Sequence, residues 1–516
     1  MPIEGPKLAG PARLHDLLGE AAHRRPDDRA LVSGADSWSW ATLERDVHTL
    51  AAHLVAMGLR QGDRVAALLP NCGALLVVYL GCLKAGLVVT PLNYRYTPAS
   101  IDHALAVSGA RLLVAHAERG ADIAASARAQ ALPLGLVAVD GAIDGAKRLD
   151  TLLAAAPPPT TLPKPDPDAT AFLFFTSGST GKPKGVMHSI ASFGAISASF
   201  AQALGLTSDD IVFPGGSISH VGSLSAAFAA FSVGAPVVLA RGFDAGRVLD
   251  LLRRERPTVL VTLPAALMSL QHDHDARAAD FASLRLCITG GDKFPDDHAR
   301  DFAALTGLAI TETYGLTEAT DCLLNPPDAA RPGSVGQVSP GYAAAVRDDS
   351  GREAAEGRLW LRGSPLFQGY WNDPDATAQA MLDGWFDTGD VMRVDAEGYF
   401  WFRGRRKQII VHDGSNIAPQ EVEEAVMHHQ AVALAGAAGV HDALHGENVW
   451  AFVSLKTGAA RPPVQEIIEA ARQQIGYKAP ERVIILPDIP LNAAGKVDRM
   501  ALKEQAAQHL AGGRAP

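Results

Sequence analysis

Cysteine is scarce in this chain of 516 residues: Cys72, Cys82, Cys287 and Cys322 are all there are. None stands in a Cys-x-x-Cys pair, so neither a zinc ribbon nor a disulfide framework is signalled. They read as reduced core thiols of a cytoplasmic protein. Basic charge is also short. Lys and Arg total 46 against 56 Asp and Glu, a formal net charge of −10. Nucleic acid needs a basic surface, so that partner is excluded, while a local basic pocket for an anionic ligand stays allowed. Long apolar runs are missing too. The longest, Cys72 to Leu83, stops at Lys84 and is too short to cross a bilayer. It is expected to be a buried helix, and no integral membrane segment is expected. The opening residues, Met1-Pro2-Ile3-Glu4-Gly5-Pro6-Lys7, lack the basic and apolar parts of a secretory signal.

What is abundant is punctuation: 49 Gly and 33 Pro, which mark turns between short elements. Apolar helical spacing and short β-branched runs alternate from about residue 13 to 139, and again from 189 to 289. That alternation predicts a parallel α/β sheet, twice over. Asn71 is expected to cap a helix over 72–85. The proline-rich stretch 154–169 reads as a surface crossing inside one large domain. From about 332 to 402, short strands with glycine turns predict a small β-barrel or folded sheet lobe. Residues 407–516 read as a compact α+β domain.

The stretch that organises the chain is 174–186, Phe-Phe-Thr-Ser-Gly-Ser-Thr-Gly-Lys-Pro-Lys-Gly-Val. An apolar strand delivers the chain into a loop of hydroxyls, glycines and lysines. Glycine lets backbone N–H groups approach an anion closely, and successive amides form an anion nest. Thr176, Ser177, Ser179 and Thr180 add hydroxyl donors around Gly178 and Gly181, and Lys182 and Lys184 add charge. The loop reads as a grip on a polyphosphate. It is not a Walker A loop, because Pro183 follows Gly181-Lys182 and Thr176 stands where the first Gly belongs. A helix capping the phosphates is therefore not expected. The string resembles the phosphate loop of the adenylate-forming superfamily, which includes the acyl-CoA synthetases.

Further motifs follow in that superfamily's order. Tyr314-Gly315-Leu316-Thr317-Glu318 supplies a ring that can stack on a base and a carboxylate that can hold Mg²⁺. Alone, a buried Tyr beside a surface Glu reads equally well. Gly290-Gly291-Asp292 ends a strand with room for a flat ligand. Asp387-Thr388-Gly389-Asp390 offers a carboxylate able to accept two hydroxyls, or simply a tight turn. Gly404-Arg405-Arg406-Lys407-Gln408, then Asp413-Gly414-Ser415-Asn416, resembles the family's hinge and the loop after it. Pro490-Leu491-Asn492-Ala493-Ala494-Gly495-Lys496 resembles its terminal Gly-Lys motif, with Asn492 replacing the common Thr. An ammonium on such a glycine loop can stabilise charge at an α-phosphate. His220 and Val221 follow a strand and open an apolar helix.

The resemblance implies a fold and a reaction. The fold is a large N-terminal domain, 1–406, of two layered α/β subdomains plus a small β-barrel, with a small mobile α+β C-terminal domain, 407–516. The reaction is ATP-dependent ligation of a carboxylic acid to coenzyme A through an acyl-AMP, with Mg²⁺. The resemblance puts Thr176 to Lys182 at the phosphates, and Gly290, Gly291, Asp292, Thr313, Tyr314 and Gly315 at the adenine. It puts Thr317 at the α-phosphate, Glu318 on Mg²⁺, Asp390 on ribose and Arg405 on ribose and phosphate. Lys496, Thr176 and Glu318 are the catalytic candidates, Lys407 the hinge, and Gly414 and Ser415 the coenzyme A side. His220, Val221, Gly291, Tyr314 and Gly315 are the candidate acid pocket. That pocket contains no Arg for a second carboxylate, which favours a monocarboxylic acid, fatty first and aryl second. With no carrier-protein domain in sequence, a standalone ligase is expected, with a homodimer as its candidate assembly. An enzyme handing acyl-AMP to a carrier protein, or a non-catalytic binding protein of this fold, are the alternatives.

Overall fold

The computed structural model describes residues 2–164, 166–176, 184–272, 276–291, 294–405, 408, 410–412, 415–442, 446–492 and 495–512. The chain forms two compact units. One holds residues 1–345, 361–386 and 397–399; the other holds 346–360, 387–396 and 400–516. The expected boundary residues Arg406 and Lys407 lie outside the described residues.

The larger unit is built on two sheets. The first has eight strands, in the order Gly369–Tyr370, Gly185–Ser189, Thr170–Phe175, Val88–Pro91, Arg64–Leu68, Leu112–His116, Leu136–Val139 and Lys147–Arg148. From Thr170–Phe175 through to Lys147–Arg148 its strand pairs are parallel. Strands Arg64–Leu68, Leu112–His116 and Leu136–Val139 are almost wholly buried, as expected when helices cover both faces. The second sheet has nine strands around the parallel core Ile310–Tyr314, Leu286–Gly290, Val259–Thr262, Val212–Pro214 and Val237–Leu239. The two alternating blocks of the sequence thus become two sheets, with one exchange. The N-terminal hairpin, Arg29–Ser33 and Asp36–Ser39, joins the second sheet, where Leu31 pairs with Val237. Strand pairing across 200 residues leaves no local sequence mark.

Helices Ile190–Ala203 and Val221–Ser232 bury aromatic rings against the first sheet. Phe172 lies 4.4 Å from Phe193 and 5.8 Å from Phe228, ring centre to ring centre. Offset and edge-on contacts of this kind stabilise beyond area burial alone. The Cys72 to Leu83 run is the buried helix Gly73–Lys84, as its composition requires. Asn71 does not cap it. Its side chain instead donates to Gly216 O at 2.7 Å and accepts from Ile218 N at 3.0 Å, tying this turn to the loop before His220. Two stretches of the first alternating block each divide into two short elements. Residues 13–24 give a short 3₁₀ turn, Leu14–Asp16, then helix Gly19–Arg24. Residues 120–130 divide at Ser126, whose Oγ accepts from Ala129 N and donates to Asp102. A serine at an N-cap starts a new helix in preference to continuing the old one.

The β-rich stretch forms a six-stranded sheet in the order Ile3–Glu4, Tyr342–Arg347, Glu356–Gly363, Trp385–Val394 and Met381–Leu382, with Phe400–Arg405 also paired to Trp385–Val394. In the smaller unit, strands Val432–Asp442 and Gly446–Leu455 form a long hairpin along one edge of a five-stranded sheet. Side-chain alternation splits its core in two. Ala435, Ala437, Val449, Ala451 and Val453 pack on helices Pro419–Met427 and Val464–Ile475. Trp450 and Phe452 pack on Leu502 and Ala506 of helix Arg499–Gly512. All four cysteines are free, and Cys82, Cys287 and Cys322 are buried. Among the described residues no helix is long and apolar enough to cross a membrane.

Candidate active site

The phosphate-loop stretch lies between two paired strands. Strand Thr170–Phe175 pairs antiparallel with Gly185–Ser189, Phe175 opposite Gly185, and Thr176 N donates to Lys184 O at 3.1 Å. A strand, not a helix, leaves the loop, in line with the departure from the Walker pattern. Ser177, Gly178, Ser179, Thr180, Gly181 and Lys182 lie outside the described residues. At the rim, the Lys184 ammonium sits 4.9 Å from the Tyr370 ring centre and 3.9 Å from Asp373.

The returning strand carries His188, which is fully buried, its Nε2 2.7 Å from Thr317 O. A carbonyl can only accept, so Nε2 bears the proton. Burial dominates the titration and pulls His188 down to about 4, although the Thr317 carbonyl acts the other way. The ring is therefore neutral at neutral pH. The neighbouring carboxylate, Glu318, accepts from Tyr370 Oη at 2.8 Å, and its backbone carbonyl accepts from Phe367 N at 2.9 Å. Thr317 and Glu318 are thus clipped to the strand that leaves the phosphate loop and to the edge strand beside it.

The turn that presents them is tight. Gly290 pairs with Thr313 across parallel strands, and a Cβ on Gly290 would come within 2.6 Å of the Thr313 side chain. A Cβ on Gly315 would come within 2.4 Å of Asp321 N. Gly291 has φ +89°, in the left-handed region that glycine favours. Asp292 lies outside the described residues. Tyr314 ends strand Ile310–Tyr314. His220 and Val221 stand at the start of helix Val221–Ser232, which receives no side-chain cap from His220.

Asp321 closes the turn, with φ +50° and a buried carboxyl. Ser225 Oγ lies 3.0 Å from Asp321 Oδ2 and 2.7 Å from Gly222 O; Thr313 Oγ1 lies 3.1 Å from Asp321 Oδ1 and 3.0 Å from Leu323 O. Each hydroxyl has one proton. Each is therefore shared between a backbone carbonyl and the Asp321 carboxyl, toward which both hydroxyls donate. Burial, opposed by those two hydrogen bonds, pushes Asp321 up to about 6.

In the smaller unit, Asp390 and Arg405 face each other across paired strands, and Arg405 Nε donates to Asp390 Oδ1 at 2.9 Å. Asp390 is 1% exposed. The preceding turn is held by Gly389 N donating to Asp387 Oδ1 at 3.0 Å and Asp390 N to Thr388 Oγ1 at 3.1 Å. Ser415 opens strand Ser415–Ile417, opposite His412. Lys407 and Gly414 lie outside the described residues. Lys496 sits on a turn in which Asn492 N donates to Lys496 O at 2.7 Å.

Sequence reading does not single out His188, Asp321, Tyr370, Glu423 or Arg499. The only local signal is a His and an Asp flanked by small and apolar residues; their partners are 129 and 96 residues distant.

Comparison with known proteins bears on the whole chain. Residues 18–371 match the AMP-binding enzyme family, and residues 421–496 match the AMP-binding enzyme C-terminal domain. A sulfoacetate–CoA ligase from Cupriavidus necator is 32% identical, aligned over 95% of this chain and 97% of its own. The long-chain-fatty-acid–CoA ligase FadD13 of Mycobacterium tuberculosis is 32% identical over 90% of this chain and 93% of its own. The crystal structure of the anthranilate CoA ligase AuaEII with anthranoyl-AMP superposes with TM-score 0.90 at 25% identity, covering 98% of this chain and 99% of that one.

Proposed function

The chain belongs to the adenylate-forming AMP-binding enzymes and is an AMP-forming acid–thiol ligase using ATP and coenzyme A, and from that premise we propose that its acid is a monocarboxylic one, a medium- or long-chain fatty acid first. In the first step the carboxylate attacks the α-phosphate of ATP, giving acyl-AMP and pyrophosphate. In the second the coenzyme A thiolate attacks the acyl carbonyl and AMP leaves. Phosphoryl transfer asks the protein chiefly to position groups and stabilise charge.

In this reading Thr176 and the loop to Lys182 cradle the phosphates. Gly290 to Asp292 and Thr313 to Gly315 line the adenine, and Thr317 meets the α-phosphate. Glu318 holds Mg²⁺: a carboxylate oxygen is the hard donor that this ion takes. Asp390 accepts the ribose hydroxyls while Arg405 orients it. Lys496 stabilises charge in the first step, and Gly414 and Ser415 serve coenzyme A in the second. Lys407 is the pivot between a domain of residues 1–406 and one of 407–516. The observation that carries the reading is the pair of clips on Thr317 and Glu318, through His188 at 2.7 Å and Tyr370 at 2.8 Å, which ties the acid-bearing turn to the strands beside the phosphate loop.

The segments read as the acid pocket, around His220, Val221, Gly291, Tyr314 and Gly315, contain no Arg for a second anionic group. The fatty-acid relative supports the first choice. An aryl acid is the second reading, supported by the similarity to the anthranilate CoA ligase. The experiment is pyrophosphate release from ATP over a panel of fatty, aryl and sulfonated acids, each with and without coenzyme A. Fatty-acid-dependent AMP and pyrophosphate, with an acyl-CoA only when coenzyme A is present, is the expected result. Turnover confined to aryl acids moves the assignment to the second reading. Acyl-AMP without a thioester points to a carrier-protein acceptor, and sulfoacetate as the best substrate overturns the monocarboxylic choice.

A further inference from the structure

Lys496 does not ride on a free glycine loop. Leu491 and Val497 pair as an antiparallel bridge, and Asp498 N donates to Pro490 O at 2.8 Å. Lys496 N donates to Asn492 Oδ1 at 3.2 Å, and Asn492 N donates to Lys496 O at 2.7 Å. Residues 490–492 and 495–498 are therefore the two arms of a short hairpin, with Lys496 near the head of the returning arm.

That arm runs straight into Arg499, the first residue of helix Arg499–Gly512. Arg499 Nη2 donates to both carboxylate oxygens of Glu423 at 2.7 Å. Glu423 Oε1 accepts a further bond from Ala437 N at 2.8 Å. The side chains are 9% and 16% exposed for Glu423 and Arg499, so the pair is largely shielded from water. On the same strand, Gly436 leaves the space into which Val497 and Leu502 press; a Cβ there would come within 2.7 and 2.6 Å of them. One carboxylate thus joins three pieces of chain: the lysine hairpin, the edge strand Val432–Asp442, and helix Pro419–Met427, which begins two residues after strand Ser415–Ile417.

We infer that Glu423 and Arg499 are a positioning pair that fixes the Lys496 hairpin to the frame carrying the Ser415 segment. The inference rests on the reading of Lys496 as the lysine of acyl-AMP formation. A buried ion pair adds little net stability against a well-packed apolar pair, so its value lies in the geometry it specifies. A lysine has a flexible four-carbon stem, and a displacement of about 1 Å at a reacting group costs on the order of 10²-fold in rate. The mount must therefore set the backbone. With both functional segments on one frame, the frame moves as a whole rather than each loop alone.

The test compares Arg499→Lys and Glu423→Gln with the parent in three measurements. The first is ATP–pyrophosphate exchange with an accepted acid. The second is thioester formation from supplied acyl-AMP and coenzyme A. The third is amide hydrogen exchange over residues 490–498. Arg499→Lys keeps the charge but replaces the guanidinium with a shorter, compact ammonium. Glu423→Gln keeps the shape and an acceptor for Ala437. Both are expected to slow pyrophosphate exchange roughly 10- to 100-fold, to leave thioester formation within about twofold, and to speed hairpin amide exchange about tenfold with residues 449–453 unchanged. Equal loss in both half-reactions, or unaltered hairpin exchange, overturns the positioning role and leaves a purely structural one. Lys496→Ala is run alongside. If it keeps pyrophosphate exchange, the lysine reading fails, while the amide measurement still decides whether the brace holds the hairpin.

Discussion

The turn at 313–321 and the hairpin at 490–499 present their key residues by opposite means. The first hangs from the ends of buried parallel strands and is held by neutral groups: His188 uncharged, Tyr370 as a phenol, and the hydroxyls of Ser225 and Thr313 around Asp321. The second belongs to a small unit with a thin core and is held by formal charge, Glu423 against Arg499. The difference lies in how each meets desolvation. Deep in a two-sheet core a charge loses its hydration, so hydrogen-bonding groups that need no charge are the cheaper clips. In the small unit Glu423 and Arg499 are shielded as well, and the cost of burying them is offset because each charge meets the other and the carboxylate also accepts from Ala437 N.

Three perturbations sharpen this contrast. The largest effect is expected from Lys496→Ala, which should lower acyl-AMP formation about 10²- to 10³-fold, the range for removing one donor to developing charge. Thioester formation from supplied acyl-AMP should stay within about twofold. Equal loss in the two steps would dissolve the division of labour between the hairpin and the Ser415 segment.

The neutral clips predict a pH signature. Burial holds His188 down at about 4, so the folded state binds fewer protons than the unfolded chain between that value and the ordinary one near 6.5. Its contribution is whole above that window and is lost as pH falls through it, up to about 3 kcal/mol. Asp321, pushed up to about 6, acts in reverse: its contribution is whole below the ordinary carboxylate value and is lost as pH rises toward 6. The two oppose each other between pH 4 and 6. Asp321→Asn should therefore gain stability at pH 7 relative to pH 4 by up to about 3 kcal/mol. His188→Gln should flatten the acid limb. Urea midpoints measured from pH 4 to 7.5 decide both, and parallel curves for parent and variants would contradict this account. The smallest effect is expected from Tyr370→Phe, which removes one hydrogen bond to the Glu318 carboxylate. About 1–2 kcal/mol is at stake, read as a five- to thirtyfold rise in the Mg²⁺ concentration needed for half-maximal pyrophosphate exchange. No rise would mean that Glu318 is held by other partners.

Much of this was legible in the chain. The alternation of helix and strand foretold two parallel sheets, because period and β-branched content are local properties. Pro183 and Thr176 depart from the Walker pattern, so no capping helix is expected after this stretch, and the element that follows is the strand Gly185–Ser189. What could not be read is of one kind. Asn71 looks like a helix cap and instead holds the 216–218 loop, because its partners arrive from 145 and 147 residues away. Arg29–Ser33 looks like part of the first block and pairs in the second sheet. Glu423 and Arg499 carry no local sign of their pairing, because 76 residues separate them and the Ala437 amide that completes the set lies on a third segment.

The sequence by itself determined the family, the reaction class and the order of the motif residues, since each depends on short strings whose backbone needs (a Gly at a close approach, a hydroxyl at an anion) are met locally. The tertiary structure alone decided the protonation of His188 and Asp321, the clip on Glu318 and the mount of Lys496. Those depend on desolvation and on partners far apart in the chain, and neither exists until the sheets have closed.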